Sequence, residues 1–131
     1  MCCECEIHDI KIPNHVNSSK GAGVGIFGFM NYSAEGGGPN DEVRRHNLTQ
    51  IWNANFIVQP GSNNAEYISE FGDPCSEIRG VKMYHFLESQ INSAIKLGNN
   101  SPAWQECIRK WDTDLEWFID NYGHHFGAIN E

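Results

Sequence analysis

The sequence lacks a long apolar run and lacks the apolar core of a secretory signal. No stretch holds enough consecutive apolar residues to span a membrane. The chain begins Met-Cys-Cys-Glu-Cys-Glu, which is polar and acidic where an export signal would be basic and then apolar. We therefore expect a protein that is neither membrane-spanning nor exported, and we place it in the cytoplasm.

Positive charge is also scarce. The 131 residues include 9 Lys and Arg against 17 Asp and Glu, for a formal net charge of −8 and a pI near 5.1. A protein that binds DNA, RNA or anionic lipid without sequence preference needs a basic surface, so the charge balance argues against those partners. It is compatible with binding a basic protein, including one that itself handles nucleic acid.

Motifs for nucleotide binding and hydrolysis are missing. The chain contains no phosphate-binding loop, zinc-protease or serine-hydrolase motif. Residues 23–28 match G-x-G-x-x-G, but the residues after them have a strand pattern where a dinucleotide site needs a helix. We expect no cofactor, and the missing catalytic set favours a protein that is not an enzyme.

Five cysteines, an odd number gathered mainly at one end, do not form a disulfide framework, and we expect free thiols. Two alternatives remain open. Cys2, Cys5 and His8 could ligate zinc, although no second ligand pair has a recognised spacing.

Cys75 lies near the start of a predicted helix, where a thiol pKa is lowered. His124 or His125 could then act as its base in a cysteine-dependent enzyme.

Two amphipathic helices between residues 73 and 123 are the clearest pattern. We predict that the first begins with Asp73 as cap and Pro74 as first helical residue, and ends at Gly98. The second is predicted to begin with Ser101 as cap, and Gly123 is expected to end it in the left-handed conformation. The short connection favours an antiparallel helix hairpin.

The N-terminal half has a strand-like pattern over residues 3–12, 24–32, 55–59 and 65–71. Between residues 40 and 54 helix and strand compete, and we favour a short helix to about Trp52 followed by a strand over Asn55–Gln59. We therefore predict one α+β domain over residues 1–131, with an antiparallel sheet of three to four strands covered by the helix hairpin.

The second helix carries an acidic stripe, Asp112, Glu116 and Asp120, in its C-terminal half, where the helix dipole disfavours carboxylates. Arg109 and Lys110 are expected to offset part of it by pairing with Asp112 and Asp114. Trp117 points away from the apolar face. The pattern is typical of a solvated face, or of an interface in which a Trp anchor lies beside carboxylates.

These observations favour a small acidic interaction protein without catalytic activity. It would block a basic protein, as an inhibitor, an immunity protein or a phage-borne antagonist does, through Asp112, Glu116, Trp117 and Asp120. The alternatives are the Cys75 enzyme, a zinc-stabilised binding module, and a protein that sequesters a small ligand under the Gly-rich loop at residues 33–40. The sequence leaves the oligomeric state open.

Overall fold

The fold, taken from a computed structural model, is mostly helical. The structure describes residues 6–12, 25–34, 38–58, 65–98 and 101–127. The elements in chain order are β1 (His8–Lys11), α1 (Gly25–Phe29), α2 (Asp41–Asn53), β2 (Ala54–Ile57), α3 (Ala65–Ser69), α4 (Glu77–Leu97), α5 (Pro102–Tyr122) and a 3₁₀ turn, Gly123–His125. Among the described residues, no helix is both long and apolar enough to cross a membrane.

Two long helices, α4 and α5, form the predicted hairpin. The Ser101 hydroxyl accepts a hydrogen bond from Trp104 N–H, as expected of its cap position. Gly98 ends α4 in the left-handed conformation, with φ of 68°. The other two boundaries differ from the prediction. Ser76, not Asp73, caps α4, and Gly123 is right-handed, so that the chain continues into the 3₁₀ turn.

The predicted antiparallel sheet of three to four strands is wrong. The described residues form one sheet of two strands, β1 and β2, and these run parallel. The helix to Trp52 and the strand after it are confirmed as α2 and β2. The other two predicted strands contain the short helices α1 and α3.

The helical identity of α1 and α3 follows from which side chains are buried. In α1 the consecutive residues Ile26 and Phe27 are both buried, which an alternating half-buried strand would not allow. In and after α3, Ile68 and Phe71 are buried at helical spacing. Residues 3–5 of the first predicted strand lie outside the described part, and of the remaining residues β1 comprises His8–Lys11.

A single cluster of buried apolar side chains joins α1, α2, β2, α4 and α5. It is rich in aromatic rings, and Phe27 stacks on Phe86 with ring centroids 3.6 Å apart. Trp52 of α2 packs against Phe118 and Tyr122 of α5 at 6.0 and 4.9 Å. The core thus fixes α5 against α2 and α4, and this sets which side of α5 faces solvent.

Candidate functional site

The side of α5 that faces away from the core carries the three predicted carboxylates. Asp112, Glu116 and Asp120 are all exposed, and we call these three residues the acidic face. Asp112 and Glu116 form no ion pair with any other residue that the structure describes. Arg109, expected to offset Asp112, instead forms two hydrogen bonds with Glu106, of 3.0 and 2.6 Å. Asp112 and Glu116 therefore lie at the surface without a basic partner among the described residues.

Trp117 differs from the anchor that the sequence suggested. Its side chain is half-buried and packs against the core cluster, with its ring edge-on to Tyr122 at 5.9 Å. Its carbonyl accepts a hydrogen bond from the Asn121 side chain. The protein's own fold thus covers part of the indole, and only the remainder lies beside the acidic face.

Beneath α5, a buried ion pair ties this helix to α2. The side chains of Arg44 and Asp114 are fully buried, and Arg44 Nε donates to Asp114 Oδ2 at 2.7 Å while Nη2 donates to Oδ1 at 3.2 Å. Tyr32 donates its hydroxyl to Asp114 Oδ2 at 2.8 Å. Arg44, through two N–H groups, and Tyr32, through its hydroxyl, therefore satisfy the Asp114 carboxylate. Asp114 pairs with Arg44 and not with Lys110, the partner predicted from the sequence.

Sequence reasoning missed this network, although a signal was present. Asp114 lies three residues after Trp111 and four before Phe118, both buried, so helical geometry places it on the apolar face. A carboxylate in that position must find hydrogen-bond donors inside the protein. Its partner Arg44 lies four residues before the buried Leu48, on the inner face of α2.

The network changes the protonation of its members. Burial, and then the negative charge of Asp114, raise the pKa of Tyr32 well above its ordinary value of 10.0. Arg44 Nη2 also donates a hydrogen bond to Asp41 Oδ1, and this hydrogen bond lowers the pKa of the Asp41 carboxyl. Tyr32 therefore stays a neutral donor, and Asp41 stays ionised, across the physiological range.

A second buried guanidinium, Arg79 of α4, has no carboxylate partner among the described residues. It donates to the carbonyls of Phe71, Ile51, Ala54 and Gly72 at 2.6 to 3.0 Å. Burial lowers the Arg79 pKa from its ordinary value to about 10. Since the four carbonyls come from α2, β2 and the chain after α3, Arg79 holds these segments together and has a structural role.

Cys75, the candidate nucleophile, is disulfide-bonded, so the expectation of free thiols is wrong for this residue, whereas Cys107 is a free, buried cysteine. In the disulfide the Cys75 sulfur is not a thiolate and cannot attack a substrate. Its backbone N–H donates to Trp52 O, and the His125 ring lies 5.5 Å from the Trp52 ring, so the fold does bring Cys75 and His125 to the same residue. His124 is exposed beside His125, with ring centroids 4.1 Å apart.

The proposed zinc ligands Cys2 and Cys5 lie outside the described residues. His8 lies at the start of β1, and its Nε2 atom is buried without a hydrogen-bond partner among the described residues. Within that part of the chain, no group of three or more His, Cys, Asp and Glu could hold a metal ion.

Two depressions lie along the solvent side of α4. One, of about 360 Å³, is lined by apolar Ile78 and Val81 with Glu70, Glu77, Lys82 and His85 around them. The other, of about 400 Å³, is lined by polar residues from His85 to Lys96. Both are open, which does not suit the near-complete enclosure that small ligands receive in most binding pockets.

No family model matches this chain, and no curated protein or solved structure is significantly similar to it. The described residues present Asp112 and Glu116, exposed and without a basic partner among them, on a helix that buried groups hold in place, and that arrangement can attract and orient a positively charged surface.

Proposed function

We propose that the protein is a small acidic interaction protein, without catalytic activity, that binds and blocks a basic protein through the acidic face of α5. The observation that carries the proposal is the exposure of Asp112 and Glu116 without a basic partner among the described residues. Carboxylates four residues apart on one helix face repel each other, and docking of a cation relieves that repulsion.

The charge distribution of the whole chain supports the same partner chemistry. The formal net charge is −8, and Arg44, Arg79 and Asp114, the buried charged residues of the described part of the chain, contribute +1 to it. The remaining residues therefore carry −9. A negative field of this kind speeds the encounter with a basic partner, and neighbouring carboxylates on one helix fix where that partner docks.

The buried contacts below the acidic face support a preorganised interface. Arg44 and Tyr32 hold Asp114 from one side of α5, while Trp104 Nε1 donates to Ala94 O of α4 at 3.1 Å. A rigid helix loses little conformational entropy when a partner docks on it. A basic nucleic-acid-handling protein is the class of partner we infer from the charge.

The experiment is affinity capture from cells that express the chain, with three baits: wild type, Glu116→Lys and Glu66→Lys. Glu66 is an exposed residue of α3, away from α5, and each substitution changes the formal net charge from −8 to −6. We expect wild type and Glu66→Lys to retain the same basic protein, and Glu116→Lys to lose it. Equal capture by all three baits would show that the acidic face is not the interface.

A further inference from the structure

The open edge of β1 carries a self-complementary pattern of charge and hydrogen-bonding groups. Within the part of the chain that the structure describes, β2 is the sole strand that pairs with β1. Ile12 N–H donates to Ile57 O, and the register pairs Lys11 with Ile57. In a parallel ladder of this register, the backbone groups of His8 and Ile10 face β2, whereas those of Asp9 and Lys11 face away from it.

The side chains at this edge are accessible. Asp9 and Lys11 are both exposed, and the neighbouring Ile7 and Ile57 are 59% and 39% exposed. Asp9 Oδ1 accepts a hydrogen bond from Asn55 Nδ2 at 3.0 Å, which leaves its other oxygen available. An unpaired strand edge with exposed apolar residues beside it is a surface on which another strand can dock.

We propose that two copies of this chain associate through antiparallel pairing of their β1 edges, about a two-fold axis at Ile10. In this register Asp9 of each copy lies opposite Lys11 of the other. The backbone N–H and C=O groups of Asp9 and Lys11 point away from β2 and toward the other copy. Each of the two Asp9–Lys11 pairs can therefore form two backbone hydrogen bonds, about four in total. The result is a four-stranded sheet with β2 of each copy at its outer edges.

Charge selects this register over its neighbours. Moving the axis to Asp9 places the two Asp9 carboxylates opposite each other, and moving it to Lys11 does the same for the two ammonium groups. Directly opposed like charges destabilise strand pairing, whereas opposite charges stabilise it. A lone lysine at an edge hinders pairing, but Asp9 two residues before Lys11 makes the edge complementary to itself.

The contact is small, which places the dimer in the weak, concentration-dependent class. Sedimentation velocity of the full chain between about 10 μM and 1 mM measures the dissociation constant of the dimer. We expect a monomer–dimer equilibrium for wild type. Lys11→Asp and Asp9→Lys, made singly, oppose like charges and should each weaken dimerisation about tenfold or more.

The double variant, Asp9→Lys with Lys11→Asp, exchanges the two charges and restores opposite pairs in the same register, so it should dimerise nearly as well as wild type. Circular dichroism confirms that each variant is folded. Glu116→Lys on α5 serves as the control and should dimerise normally, which separates this proposal from that for the acidic face. A wild type that stays monomeric throughout, or a double variant as weak as the single ones, would overturn it.

Amide hydrogen exchange provides a second measurement that needs no substitution. The N–H groups of Asp9 and Lys11 should become protected as the protein concentration rises, because they enter hydrogen bonds only in the dimer. The N–H of Ile10 faces β2 and should show the same protection at low and high concentration. Protection of Asp9 and Lys11 that does not depend on concentration would contradict the pairing.

Discussion

At the scale of single residues, the ion pair between Arg44 and Asp114 ties α5 to α2 inside the core. Both side chains are fully buried, and Asp114 also accepts the Tyr32 hydroxyl. Removing one partner of such a pair leaves a charge buried without compensation, which typically costs 3–5 kcal/mol. The pair thus makes α2 and α5 mutually dependent.

Asp114→Ala should therefore lower the free energy of unfolding by about 3–5 kcal/mol, measured by urea denaturation. The matched control is Glu106→Ala, which removes the carboxylate from the exposed pair with Arg109 on the same helix. Solvent screens that pair, so the control should leave the free energy of unfolding nearly unchanged. Equal effects of the two substitutions would contradict the description of the buried network.

Because of Tyr32, the stabilisation that this network gives the fold depends on pH in the alkaline range. Its pKa is raised above 10.0 in the folded state, so the folded chain holds this proton more tightly than the unfolded chain. The stabilisation is fully present below pH 10 and is lost progressively as the pH rises above that value toward the folded pKa.

Tyr32→Phe removes both the hydrogen bond to Asp114 and this dependence on pH. At pH 8 the substitution should cost about 1.5–3 kcal/mol, because the lost bond is to a charged acceptor. The stability difference between wild type and Tyr32→Phe should be smaller at about pH 10.5. Urea denaturation at both values measures it, and a difference that stays constant or grows would contradict the assignment.

At the scale of elements, the C-terminal helix hairpin was predictable and most of the N-terminal half was not. Helix α5 has 21 residues, long enough for apolar spacing of three and four to repeat, and Ser101 with Pro102 marks its start. Helices α1 and α3 have 5 residues each, too short to show a period. The strand predicted over residues 65–71 placed Ala65 and Ser69 on the same face as Phe71, but Ala65 and Ser69 are both exposed.

The candidate site was only partly predictable for a related reason. Helical geometry alone places Asp112, Glu116 and Asp120 on the outer side of α5, and their exposure is confirmed. The burial of Asp114 depends on α2, whose Arg44 comes from a distant part of the sequence and bonds the carboxylate. A helical projection of α5 cannot show which side a second helix covers.

Helix α4 allows a test of how the chain end packs against it. A Cβ on Gly80 would overlap the ring of Phe126, lying 2.7 Å from its Cγ atom. In an open helix, Gly→Ala stabilises by about 1 kcal/mol. Here we expect Gly80→Ala to destabilise by about 1–3 kcal/mol, since the ring must move out of its contacts with Phe118 and Tyr84.

Thermal unfolding measures the effect of Gly80→Ala. Ser93→Ala provides the control, because Ser93 is an exposed position of the same helix and gains only helix propensity there. The control should raise the melting temperature slightly, and Gly80→Ala should lower it. A rise for both variants would show that Phe126 does not pack on Gly80.

At the scale of the whole molecule, two separate surfaces are proposed to bind different partners. The acidic face of α5 is proposed to bind a basic protein, whereas the edge of β1 is proposed to bind a second copy of the chain. The first depends on long-range charge, which added salt screens, and the second on backbone hydrogen bonds and local charge pairs. Substitutions on one surface should leave the other functional.

The most direct test of the central claim is the dissociation constant of the captured partner for Glu116→Lys relative to Glu66→Lys, measured at about 0.05 M and 0.5 M salt. We expect the partner to bind Glu116→Lys at least about tenfold more weakly than Glu66→Lys at low salt, and this ratio to move toward one at high salt. A ratio near one at low salt would contradict it, because two variants of equal net charge would then differ in nothing that the partner recognises.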